Sequence, residues 1–101
     1  MAALRDHVQA HLGNPLALVD LARMAGLSPH YFLLAFRKSF GVTPHQYVLG
    51  ERIREAMRLL RRDQLSISEV ALSVGFADQS HFTATFRRFA GTTPRRFRQA
   101  S

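Results

Sequence analysis

The chain has 101 residues, enough for one small domain with a modest core and too few for a second domain that folds separately. Although 47% of its residues are hydrophobic, no apolar run reaches the roughly 18 residues of a membrane span, and the N-terminus has no basic segment leading into an apolar stretch. A cytoplasmic, unsecreted chain without disulfides, thiolate nucleophiles or Cys-based zinc sites is therefore expected from the absence of cysteine, and the formal charge of +7 makes polyanions the leading partners.

In chain order, the first element predicted is a helix over about residues 4–12, with Leu4, Val8 and Leu12 aligned and Gly13-Asn14-Pro15 stopping it. A second helix carries Leu18, Leu21, Ala22 and Ala25 on one stripe and ends at Gly26, a residue suited to the left-handed backbone of a tight turn. Ser28-Pro29 then caps a third helix reaching Phe40. Thr43-Pro44 opens a long helix to about residue 62, with Leu49, Ile53, Ala56, Met57 and Leu60 as its apolar stripe. Gly50 inside that helix costs about 1 kcal/mol relative to alanine, which points to close packing there. Ser66 and Glu69 form a capping-box pattern for a fifth helix ending at Gly75, Asp78 caps a sixth from Gln79 to Phe89, and Thr93-Pro94 opens a short seventh containing Phe97. No segment alternates like a strand, so the fold class expected is all-α.

The two halves repeat each other. Leu18, Leu21, Ala22, Ala25 and Gly26 recur as Ile67, Val70, Ala71, Val74 and Gly75. Past the glycine the offset grows by one residue, and Ser28, Phe32, Phe36, Arg37, Gly41, Thr43, Pro44 and Tyr47 recur as Asp78, Phe82, Phe86, Arg87, Gly91, Thr93, Pro94 and Phe97. The same helix, glycine turn and helix are thus built twice. Ala17 and Asp20 stand where the second copy has Ser66 and Glu69, so the first copy's opening helix is the more weakly capped.

In the second helix of each copy one face is aromatic and belongs to the core: Phe32, Ala35, Phe36 and Phe40 in the first, Phe82, Thr85, Phe86 and Phe89 in the second. The opposite faces carry His30, Leu33, Leu34 and Arg37, and Gln79, Ser80, Thr83, Ala84 and Arg87, with His81 at the edge of the latter. A helix fits the DNA major groove, where Gln pairs with adenine, Thr or Ala touches a thymine methyl, and Arg or His reaches guanine or phosphate. Arg37-Lys38 and Arg87-Arg88 fall further along, where a helix-turn-helix approaches phosphates. Every basic residue of the chain except Lys38 is arginine, whose planar fork suits both phosphate and guanine.

The chain resembles, over essentially its whole length, the DNA-binding domain of the AraC/XylS family of bacterial transcription regulators. The residues that carry the resemblance are Leu21-Ala22-Arg23 with Gly26-Leu27-Ser28-Pro29, Phe36-Arg37-Lys38 with Gly41 and Thr43-Pro44, Tyr47, Arg52-Ile53, Ala56 and Leu59-Leu60. They continue through Ser66-Ile67, Val70-Ala71, Gly75-Phe76, Asp78, Ser80-His81-Phe82, Phe86-Arg87-Arg88, Gly91, Thr93-Pro94 and Phe97-Arg98. The resemblance implies a single homeodomain-like domain over 1–101, about seven helices in all. Helix-turn-helix subdomains at 4–41 and 66–99 flank a linker helix at 44–62, and the whole binds promoter double-stranded DNA in the nucleoid and commonly touches RNA polymerase. Carried over by position, base contacts fall on His30, Leu33 and Leu34 in the first unit and on Gln79, Ser80, His81, Thr83 and Ala84 in the second. Leu33 and Leu34 depart from the polar or basic residues frequent in the family at those positions, and are expected to meet thymine methyls.

Two other readings fit the sequence less well. A helical protein-interaction module would dock through Leu33 and Leu34, and would bind without the steep salt dependence of DNA. An enzyme is disfavoured because no spacing assembles nucleophile, base and orienting group. His7 and His11, four residues apart, have no acidic or Cys partner nearby, so no metal or cofactor is expected. An effector-binding domain outside this chain is expected if it is an excised fragment, whereas a self-sufficient small regulator would need none.

Overall fold

A computed structural model describes residues 2–62 and 64–100. Among them are seven helices and no strand: α1 (Ala2–Ala10), α2 (Leu18–Met24), α3 (Pro29–Phe40), α4 (Pro44–Leu60), α5 (Ile67–Ser73), α6 (Gln79–Ala90) and α7 (Pro94–Ala100). The repeat is exact in length, for α2 and α5 have 7 residues each and α3 and α6 have 12.

Local chemistry accounts for most of the boundaries. Ser28, Thr43, Ser66 and Asp78 each accept a hydrogen bond from a backbone N–H in the first turn of the helix that follows. Ser66 with Glu69 forms the anticipated reciprocal box, and Thr43 with Gln46 forms a second one. Ala17 caps α2 without any side-chain bond. After α2 and α5 the chain turns through Gly26 and Gly75, at φ +72° and +99°, the region that side chains with a β-carbon rarely adopt. α1 stops short of Leu12, because the short-range bonds from His11 N–H to Val8 O and from Asn14 N–H to His11 O tighten the chain into turns.

Two apolar clusters share α4. Phe32 and Phe36 of α3 pack with Leu4, Val8, Leu21 and Val48 in the first. Phe82 and Phe86 of α6 pack with Ile53, Leu60, Val70 and Phe76 in the second. Complete burial of such a phenylalanine contributes roughly 1.5–3 kcal/mol, so the four rings are the main anchors of α3 and α6. Adjacent residues of α4, Val48 and Leu49, belong to different clusters, and one helix thereby serves as a wall of both.

Phe89 departs from its expected place in the core. It is 48% exposed, and its ring lies across Gly50, with an edge carbon 3.3 Å from where a β-carbon of that residue would stand. The close approach expected at Gly50 is therefore real, and a helix-to-helix contact at the surface causes it. Glu51 is the one buried carboxylate among the described residues; Gln9 donates to it from α1 and Arg54 pairs with it at 3.2 Å.

A second seam joins the two halves beyond α4. A β-carbon on Gly75 would stand 2.5 Å from the Leu12 carbonyl oxygen and 3.0 Å from the Arg52 guanidinium. One on Gly13 would stand 2.9 Å from Ser73 O. The turn that follows α1 thus lies directly on the turn of the second helix-turn-helix. Arg52 fixes that turn by donating from Nε to Leu12 O at 3.1 Å and from Nη2 to Asn14 O at 3.0 Å. Arg98 of α7 does the same for the end of α4, donating to Leu60 O at 3.0 Å and to Arg62 O at 3.3 Å.

Candidate nucleic-acid interface

The start of α6 is set by Asp78, whose carboxylate accepts the His81 backbone N–H at 2.8 Å. That cap, with Phe82, Thr85 and Phe86 buried, leaves Gln79, Ser80, His81 and Ala84 exposed and Thr83 half-buried beside them. Gln79 and Ser80 occupy the first turn. The His81 ring leans edge-on against Phe76 with centroids 5.2 Å apart, so it is held at the margin of the face by a core aromatic.

On α3 the corresponding surface is less uniform. His30 is exposed, with its ring edge-on to Tyr31 at 5.6 Å, and Leu34 is 52% exposed. Leu33 is only half-exposed and lines a cavity between the two units together with residues of α4 and α5. The two leucines therefore do not make one outward apolar patch, and docking through both at once loses its structural basis. Tyr31, 66% exposed and one residue before the buried Phe32, adds a large polar-tipped aromatic to this face. Sequence reasoning passed over it, although its position next to a core phenylalanine was a sufficient signal.

The basic flanks are symmetric. Arg37 and Lys38 lie in the last turn of α3, Arg87 and Arg88 in the last turn of α6, and all four are exposed. Cations there are favoured by the negative end of the helix dipole. Among the described residues the ion pairs are Arg23–Asp20, Arg54–Glu51 and Arg58–Glu55, so none of these four cations is neutralised by a carboxylate. Two carboxylates are engaged elsewhere: the Arg58 hydrogen bond holds the Glu55 carboxyl below its usual range, and the Ser66 backbone bond does so for Glu69. Arg95, exposed in the first turn of α7, shares a shallow groove with Ser68 and Gln79, and so brings a further cation beside the start of α6. No group of residues capable of holding a metal occurs among the described residues, nor any helix long and apolar enough to cross a membrane.

Two helix-turn-helix units of matching length, each with an exposed face and a free basic pair, define a double helix-turn-helix domain. The profile of the helix-turn-helix domain family matches residues 21–100. The probable transcriptional regulator LumQ of Photobacterium leiognathi is 35% identical over 97 residues, covering 96% of this chain and 39% of its own length. The HTH-type transcriptional activator RhaR of Cronobacter sakazakii is 39% identical over 101 residues, covering 93% of this chain and 35% of its own length. The chain thus spans less than half the length of these curated relatives. Among solved structures, the DNA-binding domain of AdpA in complex with a target DNA superposes with a TM-score of 0.91 at 31% identity, covering 98% of this chain and 89% of that one. An AraC-type regulator from Chromobacterium violaceum gives 0.89 at 30% identity, covering 95% and 86%. The chain belongs to the AraC-type helix-turn-helix family.

Proposed function

We propose that this domain binds double-stranded DNA at promoters and regulates transcription, with no catalytic role of its own. The observation that carries the reading is the duplicated exposed face, each copy closed at its far end by cations that no carboxylate of the described chain neutralises. The fold shared with the AdpA DNA-binding domain, solved on its target DNA, supports it. In this reading Gln79, Ser80, His81, Thr83 and Ala84 of α6 and His30, Leu33 and Leu34 of α3 meet base edges. Arg37, Lys38, Arg87 and Arg88 meet phosphates. Residues 4–41 and 66–99 act as two reading units on the linker helix at 44–62, in a protein working on DNA in the cytoplasm. RNA polymerase and an effector-binding domain outside this chain are the further partners the reading assigns.

One molecule spans two neighbouring major-groove segments. α4 has 17 residues, which at about 1.5 Å per residue makes a rod of roughly 25 Å, and with a unit at either end it suits grooves spaced about 34 Å apart. The test is titration of a selected duplex at a series of salt concentrations, with stoichiometry from sedimentation. If six or more phosphates are neutralised, affinity falls about 10³-fold or more between 50 and 200 mM salt, with one protein per site. A flat salt response sinks the reading, and an obligatory pair of molecules on a palindrome sinks the one-molecule geometry.

A further inference from the structure

We propose that the cleft between the two helix-turn-helix units is a binding site for a small apolar molecule carrying a single carboxylate. The cleft has a volume of about 580 Å³, inside the range of roughly 300–1,000 Å³ typical of small-molecule sites. Its walls come from both units and from the helix between them. Leu18 and Leu33 supply one side, Leu72 and Phe76 the other, and Val48 and Leu49 of α4 the floor.

Arg52 is the cation of this cleft. Its Nε and Nη2 hold the Leu12 and Asn14 carbonyls, which leaves Nη1 without a hydrogen bond among the described residues. No described carboxylate pairs with it, and none of the residues lining the cleft is acidic. Burial alone draws the Arg52 pKa below the usual guanidinium value. A partly desolvated cation held by neutral carbonyls is stabilised when an anion enters the same low-dielectric space. The leucines, valine and phenylalanine accept an apolar body at the same time. Neither a purely apolar ligand nor a highly charged one such as a nucleotide satisfies both features. Of the α3 and α6 residues assigned to the reading faces the site uses Leu33 alone, which is half-buried against the cleft, and it stands whether or not those faces bind DNA.

The experiment uses 4-phenylbutyrate as the probe and 4-phenylbutanol as its uncharged counterpart, titrated into the ¹⁵N-labelled full chain. Saturable amide shifts are expected around Leu18, Leu33, Leu72 and Phe76, with a Kd of about 1 mM or tighter for so small a ligand. The alcohol is expected to bind about tenfold more weakly or worse, for want of the charge-assisted contact. Leu72, 61% exposed at the rim, allows charge to be changed without touching the core. Leu72→Glu weakens phenylbutyrate binding about tenfold by placing a like charge at the mouth, while Leu72→Lys retains it. Arg52→Gln abolishes the preference for the acid over the alcohol. The proposal is overturned by the absence of saturable shifts, by equal binding of acid and alcohol, or by the same response from the Glu and Lys variants.

Discussion

The first helix-turn-helix unit opens α2 at Ala17 with no side-chain cap and leaves Leu27 41% exposed after its turn, whereas the second opens α5 with the Ser66–Glu69 box and buries Phe76 to 3%. The backbone of the two turns is nonetheless the same: Leu27 N–H reaches Ala22 O at 3.0 Å, and Phe76 N–H reaches Ala71 O at 3.0 Å. What differs is Ala77, the one residue added before the next cap. It gives the chain room to turn Phe76 into the second core and still place Asp78 at the head of α6. Helix ends and a left-handed glycine are therefore enough to specify the turn, and the side chains around it decide how firmly it is held and what it shows to solvent. The cost falls on the first unit, where Leu18, Val19, Met24, Leu27, Tyr31 and Leu34 all stay exposed, against Leu72 and Phe89 beyond α4.

The two turn glycines offer the largest contrast. Gly26→Ala is expected to lose about 1–2 kcal/mol, the strain of a left-handed alanine in otherwise open space. Gly75→Ala adds a collision with the Leu12 carbonyl and Arg52, and is expected to lose about 2–5 kcal/mol. Urea unfolding of the two variants measures both, and equal losses would show that the α1 seam yields freely.

Next in size is readout. If α6 supplies the hydrogen-bonded specificity, Gln79→Ala should erase about 1–3 kcal/mol of discrimination at one base pair, while Leu34→Ala should be milder and felt chiefly where thymine is replaced. A complete single-base scan of the operator with each variant decides it. Greater relaxation by Leu34→Ala reverses the assignment of roles.

Capping sharpens the comparison at about 1 kcal/mol. Ser66→Ala should destabilise by roughly that amount, and Ala17→Ser should stabilise by a similar one, since only the first unit has an unused cap. Thermal melts of both proteins test this; a neutral Ala17→Ser would mean that the N–H groups at the start of α2 are already well served by water.

The smallest effect is on pH dependence. Ser66 holds Glu69 below the ordinary carboxylate value, so the contribution is full above the unfolded value and is lost as pH falls through the lowered folded one. Glu69→Gln should flatten the acid limb of the melting-temperature profile slightly. Asp20 of the first unit, whose carboxylate pairs with Arg23 and leaves α2 uncapped, should give no comparable loss of a capping interaction when changed to Asn. An unchanged limb in Glu69→Gln would remove the box from the acid response.

Sequence by itself determined the seven helices and their caps, because each depends on residues within about four positions of one another, where period, cap and glycine act, and matching those local patterns between the halves revealed the repeat. It also located the exposed faces of α3 and α6, since a helix whose phenylalanines are buried must turn its other side outward. Only the tertiary structure decided which way Leu33 leans, why Phe89 stays at the surface over Gly50, and what Arg52 and Arg98 hold. Those outcomes are contacts between residues tens of positions apart, as in the bonds from Arg52 to Leu12 and from Arg98 to Leu60. No local pattern encodes how two similar units press against one another. The cleft between them, with a cation and no carboxylate on its walls, exists only once α2, α3, α4 and α5 have met.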